Sequence, residues 1–381
     1  MKKRKLRYGM VGGGPGSLVG SGHRRAIVLD DLAELVAGSF SRSYDKTLAL
    51  GEQLGIPQDR LYRDYHEMAE KEAARDDGID FVVICNPNYV HFETCKAFIA
   101  AGIDISCEKP LTTTLADALE LECLAQEAGI LFMVTYTYSG HATVRNITEV
   151  IKAGEIGQIR TIMGEYPQGW LAEEDISGNK QAEWRTDPAI SGRTNALGDI
   201  GTHIENTVYR MTGLKINRVL SKMDKIVPTR SLDDNSVVLL EYDNGATGVY
   251  WCSQVAIGHD NGLRIRIYGD KGSIFWFQEQ SERFTIARLN GSLEEVHRGH
   301  KSVYPKATRY ERLAAGHTEG WFEALANHYD SFIECLHARQ SGTFTPDMID
   351  YPTVAEGVNG LRFVEACLES SANGNVWTDL A

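Results

Sequence analysis

The chain has no apolar run approaching the roughly 18 residues that a membrane-spanning helix needs, which predicts no membrane partner. The stretch from Leu6 to Val11 is too short, and too soon broken by glycines, to be the apolar core of a secretory leader. The basic residues around it, Lys2, Lys3, Arg4, Lys5 and Arg7, therefore read as a solvated start to a first strand. Cysteines number seven, and Cys85, Cys95, Cys107 and Cys123 are spaced without any C-x-x-C pair. That spacing argues against a disulfide framework and a structural zinc site, so no metal is expected and a reducing, cytoplasmic setting fits. Positive charge is in deficit: 39 Lys and Arg face 52 Asp and Glu, a formal charge of -13. An acidic surface repels phosphate backbones instead of releasing their counterions, which disfavours nucleic acid as a partner. Low-complexity linkers and internal repeats are also missing.

What is present is ordinary globular composition, 43% hydrophobic and 24% charged, in 381 residues, more than one core usually spans. Two domains are expected. Through residue 135, apolar strands (6–11, 32–40, 61–62, 81–85, 103–107 and 130–135) alternate with helices (22–29, 44–54, 64–74, 91–101 and 115–128). That alternation predicts an α/β fold, a doubly wound parallel sheet with right-handed crossovers over residues 1–137. After Tyr138 the texture changes. A helix at 143–153 precedes strands at 159–166, 237–242, 246–253, 263–268 and 273–277, with Asn244-Gly245 and Asp270-Lys271-Gly272 as hairpin turns. Helices from Gly320 to about Ala338 and from Val354 to Ser370 follow. Residues 138–381 are thus predicted to form an α+β domain with a mostly antiparallel sheet.

Gly12-Gly13-Gly14-Pro15-Gly16 lies directly after the first strand. A helix N-terminus placed there offers unpaired N–H groups and a partial positive charge, and glycines let the backbone approach a pyrophosphate. Gly12, Gly14 and Gly16 are the candidates. The G-x-G-x-x-G pattern would need glycine at Ser17, so the loop is longer than usual and Gly20 becomes its third glycine. A carboxylate at the end of the second strand would accept ribose hydroxyls and repel a 2'-phosphate, but that tip reads Ser39-Phe40-Ser41-Arg42-Ser43. Ser41 and Arg42 can contact a phosphate, which leans toward NADP over NAD; Arg42 can equally stack on adenine or stay solvated, and both cofactors remain open.

Asp199 and His203 are four residues apart, hence on one face if helical, beside the apolar stripe Leu197, Ile200, Ile204 and Val208. A carboxylate there would set the tautomer of the imidazole, although a surface ion pair has the same spacing. Lys109 follows a predicted strand, at the carboxyl end where open parallel sheets bind ligands, and Pro110 stiffens its turn. A dinucleotide site with a lysine, a histidine and a carboxylate supplies what moving a hydride off an alcohol requires, which predicts an oxidoreductase. On the substrate side, Tyr136, Tyr138, Tyr166, Trp170, Trp184 and Arg185 can line a sugar pocket, although each is also a common packing residue. His317, in Gly316-His317-Thr318-Glu319-Gly320, is a further substrate candidate unless Thr318 simply caps the next helix.

Taken in order, Asn86-Pro87-Asn88 with His91, Ala100-Ala101-Gly102, Glu108-Lys109-Pro110, Trp184-Arg185, Gly198-Asp199 with His203, and Asp270-Lys271-Gly272 resemble the Gfo/Idh/MocA family of sugar and inositol oxidoreductases. The likeness spans nearly the whole chain. It implies an N-terminal Rossmann domain and a C-terminal domain whose large open sheet often forms an oligomer interface, hence a homo-oligomer, dimer or tetramer. It also implies that Lys109 and His203 contact the oxidised hydroxyl, His203 accepting the proton while Asp199 positions the substrate or the histidine. Pro87, Asn88, His91 and Glu108, with Asn86 in the same turn and Lys109, would bind NAD or NADP near the nicotinamide ribose. The expected reaction is reversible oxidation of a secondary alcohol on a sugar, glycoside or inositol ring. Two other readings accompany it: a glycoside hydrolase or lyase working through transient oxidation, and a noncatalytic nucleotide-responsive binding protein.

Overall fold

The computed structural model describes residues 4–301 and 303–380; Lys2 and Lys3 of the basic run lie outside the described residues. The chain divides into two units, one formed by the chain up to Thr135 with Leu325–Val358, the other by Tyr136–Ala324 with the chain from Asn359 onward. The segment Leu325–Val358, which the sequence places with the second domain, thus packs with the first. Its reasons are local. Phe332 meets Phe81 edge to face at 5.5 Å, and the N–H of Val134 donates to the carbonyl of Pro352 at 2.8 Å.

The first unit is built on five strands, β1 (Leu6–Gly12), β2 (Ala33–Ser39), β3 (Phe81–Cys85), β4 (Asp104–Cys107) and β5 (Phe132–Val134), in the order β2-β1-β3-β4-β5. All neighbours run parallel. Their near-continuous apolar runs suit burial on both faces, as in Phe81–Ile84, and the order reverses between β1 and β3, so a crevice opens at the carboxyl ends of those two strands. Leu61-Tyr62, expected as a strand, contributes an isolated bridge from Leu61 to Gly38. Asp64 and Thr114 cap the helices Tyr65–Ala73 and Leu115–Ala128 by accepting from the N–H of Glu67 and Asp117.

The first helix, Leu18–Val28, starts four residues earlier than expected, because Ser17 caps it by accepting from the N–H of Gly20 at 3.0 Å. Gly20 therefore lies inside the helix, not in the loop. A Cβ there would overlap the backbone of Gly13, so the missing side chain is what lets the helix sit against the turn.

The second unit carries nine strands, β6 (Ile159–Pro167), β7 (Ile216–Asp224), β8 (Asn235–Tyr242), β9 (Thr247–Ser253), β10 (Arg264–Gly269), β11 (Gly272–Phe277), β12 (Arg283–Arg288), β13 (Leu293–His297) and β14 (Thr378–Asp379). Their order is β13-β12-β11-β10-β6-β9-β8-β7-β14. β6 and β9 run parallel, and the other neighbours antiparallel. The helices Ala142–Lys152 and Thr202–Thr212 contribute Ile147, Val150, Ile204 and Val208 to one core with inward residues of the sheet, among them Ile162, Val238 and Ile265. β7, β12, β13 and β14 escaped the sequence reading. β13, Leu-Glu-Glu-Val-His, has the polar composition of a protected edge. No helix among the described residues is long and apolar enough to cross a membrane.

Replacing Gly20 by Val forces the first helix off the turn. The expected loss is roughly 1–3 kcal/mol of stability, read as a lower urea midpoint at unchanged m-value.

Candidate active site

In the first unit the glycine turn is shaped by its own backbone. Gly12, Gly13 and Gly16 have φ of 82°, 69° and 81°, a region that side chains disfavour. A Cβ on Gly12 would meet the backbone of Asn86 and Cys85 at 2.6 and 2.7 Å, and one on Gly14 would meet the Phe40 carbonyl at 2.8 Å. The turn is thereby pressed into the crevice between β1 and the segments after β2 and β3. A cavity of about 480 Å³ opens there, lined by Gly12, Gly13 and Ser17, by Ser41 and Arg42, and by Asn86 and Pro87. Arg63 lines it too, its guanidinium 4.5 Å from the Tyr44 ring centroid. The sequence reading missed Arg63, although a cation two residues beyond the bridge to β2 was a signal. Asp64 stands in the lining, but its carboxylate already accepts from the N–H of Glu67 at 2.9 Å. A nucleotide fits this lining: bare backbone at a helix N-terminus, a cationic rim, and a buried Oδ1 of Asn86 with no hydrogen-bond partner among the described residues.

Glu108 and Lys109 follow β4. The Glu108 carboxylate receives His23 Nε2 at 3.0 Å and the hydroxyl of Thr135. Burial opposes its ionisation, but the hydrogen bonds from His23 and Thr135 and the charge of Lys109 outweigh it and hold the carboxyl below its ordinary range. His23 Nδ1 lies 2.6 Å from Tyr329 Oη, and Tyr329 Oη in turn lies 3.1 Å from Ser106 Oγ. Lys109 itself is half-buried at this strand end. His91 is fully buried between two acceptors, with Nε2 2.9 Å from the Asn86 carbonyl and Nδ1 3.0 Å from that of Pro110. Carbonyls only accept, so both nitrogens must carry protons to satisfy both contacts. Burial pulls this imidazole down, yet Cys107 and the two carbonyls prevail and raise it to about 9. His91 thus ties the turn after β3 to the turn that bears Lys109.

In the second unit, residues 194–203 do not form one α-helix. Leu197–Gly201 is a π-helical turn, closed by the Thr202 N–H reaching the Leu197 carbonyl, and the α-helix Thr202–Thr212 continues from it. Two glycines in one turn make a weak α-helix, a signal visible in the sequence. The turn is anchored by Asp233, which accepts from the N–H groups of Asn195 and Leu197, each at 2.7 Å. Asp199 projects from it and accepts from Arg185 Nε at 3.1 Å and Gln254 Nε2 at 2.9 Å. His203, 7% exposed, is packed against Tyr138 at 4.7 Å, Tyr136 at 5.8 Å and Tyr166 at 6.2 Å between ring centroids. Tyr138 and Tyr166 share a 2.7 Å hydrogen bond, and both meet Asn261, which also accepts from Gln168 Nε2 at 3.1 Å. Gln168 closes the circuit by accepting from Trp170 Nε1 at 2.9 Å, beside Arg185.

Of the substrate-side candidates, this circuit gathers Tyr138, Trp184, Arg185, Asp199 and His203. His317 lies outside it: its side chain is exposed and its carbonyl accepts from Arg298. Thr318 does not cap the following helix, which begins at Trp321 and has the N–H of Gly320 held by Glu323 at 2.8 Å. Gln168, Gln254, Asn261 and Asp233 went unseen in the sequence. Gln168 and Gln254 directly follow the paired ends of the parallel strands β6 and β9, Pro167 and Ser253, an adjacency that exists only once the sheet is formed.

Two family models match the chain: the oxidoreductase family with NAD-binding Rossmann fold over residues 6–136, and the GFO/IDH/MocA C-terminal domain over residues 144–275. An uncharacterized oxidoreductase, YfiI, of Bacillus subtilis is 36% identical over 99% of this chain and 97% of its own. The chain belongs to the Gfo/Idh/MocA oxidoreductase family. Its first unit is accordingly an NAD-binding Rossmann domain. An inositol dehydrogenase homolog from Azotobacter vinelandii, solved with NAD+, has a TM-score of 0.95 and 35% identity over 99% of this chain and 97% of its own. The same homolog with NADH and myo-inositol gives 0.92 and 34%, covering 99% and 98%. The levoglucosan dehydrogenase of Pseudarthrobacter phenanthrenivorans is 29% identical over 60% of this chain and 63% of its own.

An imidazolium whose pKa rises on folding, here from 6.5 to about 9, adds stability that is complete below about 6.5 and lost as the pH climbs through about 9. Urea unfolding is expected to show this decline in the wild type and a flatter profile in His91→Asn; parallel profiles would show that His91 is not charged.

Proposed function

We propose that this family member oxidises, reversibly, a secondary alcohol on a sugar, glycoside or inositol ring. The observation that carries the reading is the buried His203 in its tyrosine cage, at one end of a chain of polar and aromatic side chains that runs to Asp199. A bound nicotinamide supplies the hydride acceptor. In this reading Lys109, Asp199 and His203 carry the roles that the family resemblance implies for them. The Lys109 ammonium donates to the reacting oxygen, and the His203 imidazole takes the proton as the carbon gives up its hydride. Asp199, aimed by Arg185 and Gln254, accepts from a neighbouring ring hydroxyl and sets the ring's register. Gly12, Gly14 and Gly16 face the pyrophosphate, and the turn from Asn86 to His91, with Glu108, faces the nicotinamide ribose. The NAD+ and NADH complexes of the A. vinelandii homolog support NAD, while Arg42 and Arg63 in the same lining as Asp64 also suit a 2'-phosphate.

A second copy of the chain is proposed to cover the outer face of the large sheet. Val237 and Leu239 of β8, 40% and 41% exposed, pair with Trp251 and Val249 of β9 on that face. This apolar patch, bordered on the same face by the paired charges of Glu165, Arg264 and Arg266, is of the kind that marks an interaction surface. Light scattering is expected to find an oligomer that Leu239→Lys shifts toward monomer; a monomeric wild type rules this out.

Absorbance of reduced nicotinamide should rise with a free inositol, hexose or methyl glycoside and either NAD or NADP. Lys109→Ala and His203→Ala should each lower kcat/KM by about 10²-fold or more. Unchanged rates in those variants would remove their assigned roles, and bond cleavage without accumulation of reduced cofactor would indicate a hydrolase or lyase.

A further inference from the structure

We infer that the ring oxidised at this site carries a second ring, as in an aryl glycoside or a disaccharide, and that Trp170 stacks that second ring. The inference deepens the dehydrogenase reading and rests on it. Arg185 spans the two regions. Its Nε is 3.1 Å from Asp199 Oδ2, and its guanidinium carbon lies 4.2 Å from the Trp184 ring centroid and 5.7 Å from that of Trp170. A guanidinium's width therefore separates the carboxylate that registers the oxidised ring from the two indoles. A single ring held at Asp199 and His203 leaves the Trp170 indole to its substituent.

Both indoles are fixed. Trp170 Nε1 donates to Gln168 Oε1 at 2.9 Å, and Trp184 Nε1 to Gln181 Oε1 at 3.3 Å. Gln181 also receives Arg185 NH1 at 2.8 Å, which holds the guanidinium against the face of Trp184 and leaves Trp170 to the ligand. With their N–H groups engaged, the rings have only π-faces and edges to offer, and Trp170 keeps 38% of its surface exposed. An immobilised, exposed indole beside a site of otherwise polar groups suits the C–H face of a pyranose or the face of an aryl ring. The hydroxyls of a free inositol would find their partners in Asp199, Arg185, Gln168, Gln254 and Asn261 and have no use for it. Arg185 contributes further donors at the junction, where a glycosidic oxygen would accept.

Matched methyl and phenyl pyranosides of glucose, galactose and xylose test this, with cofactor reduction as the readout. The phenyl member of at least one pair is expected to exceed its methyl partner in kcat/KM by about tenfold or more, through KM. Trp170→Ala should erase that ratio, whereas Trp170→Phe, which keeps an aromatic face and gives up the N–H, should retain most of it. Calorimetric titration of the cofactor-loaded protein with the same pair should reproduce the difference as Kd. Equal kcat/KM within every pair, or a ratio that survives Trp170→Ala, overturns the second-ring site while leaving the dehydrogenase reading intact. Absence of cofactor reduction with every ring overturns both.

Discussion

The turn that carries Asp199 and His203 depends on one buried carboxylate, Asp233. Asp233 takes the N–H groups of Asn195 and Leu197, both at 2.7 Å, at the start of a turn containing Gly198 and Gly201. Each glycine costs about 1 kcal/mol of helix stability relative to alanine, and hydrogen bonds to a charged group return about 1.5–3 kcal/mol each. Desolvation of the buried carboxylate works against that return, so the anchor fixes the geometry of the turn rather than adding net stability. Burial pushes the Asp233 carboxyl up to about 6 against the opposing pull of the two backbone donors. The glycines are needed because the turn is packed too closely for side chains: a Cβ on Gly198 would overlap Thr194 Oγ1, and one on Gly201 would lie 2.9 Å from Leu197 Cδ1. From this tight segment Asp199 projects toward Arg185 and Gln254, while His203 begins the regular helix with its ring among tyrosines.

Strand ends do the corresponding work in each unit. In the first, β1, β3 and β4 run parallel and end at Gly12, Cys85 and Cys107, just before the glycine turn, the Asn86 turn and Glu108-Lys109. In the second, the parallel pair β6 and β9 ends at Pro167 and Ser253, just before Gln168 and Gln254. Parallel strands deliver their following residues to the same edge, so a cluster forms without the loops having to be long. Within the first unit these turns are also bound to one another. Glu108 is shared between β4 and His23 of the helix that leaves the glycine turn, and His91 holds the carbonyls of Asn86 and Pro110 together. The loops that face cofactor and substrate are thus cross-braced by buried polar side chains, the arrangement that keeps a strand-end site rigid.

The first unit was largely legible from the sequence because its determinants are local. An apolar run, a cap and a stop glycine lie within a few residues of the element they define, so Phe81–Cys85 and Leu115–Ala128 fall where periodicity puts them. Where the reading slipped, a longer-range fact intervened. The first helix could be extended back to Leu18 only by knowing that Gly20 packs on Gly13, and Leu325–Val358 could be placed only by knowing that Phe332 meets Phe81. Lys109, Asp199 and His203 were visible because each lies in a short signature of unusual composition. Asp233, Gln254 and Asn261 were not: each is a common polar residue whose role arises from neighbours 36 to 123 positions away, from Leu197 for Asp233 to Tyr138 for Asn261.

That asymmetry has a physical source. A dinucleotide's pyrophosphate is met by backbone, and backbone approach requires glycine at fixed points along a single turn, so the requirement is written in consecutive letters. A ring with hydroxyls is met by side chains, which can be supplied from any element that reaches it. Here they come from the end of β6, the short helix Lys180–Arg185, the π-helical turn, the end of β9 and the loop before β10. On the proposed reading, exchanging Gln168, Arg185 or Gln254 changes which hydroxyl is recognised, whereas Asn261 also holds the hydroxyls of Tyr138 and Tyr166 and is tied to the tyrosine cage. In that same reading, His203 keeps its place in the tyrosine cage while the choice of ring rests on Gln168, Arg185, Gln254 and Asn261 together rather than on any one motif.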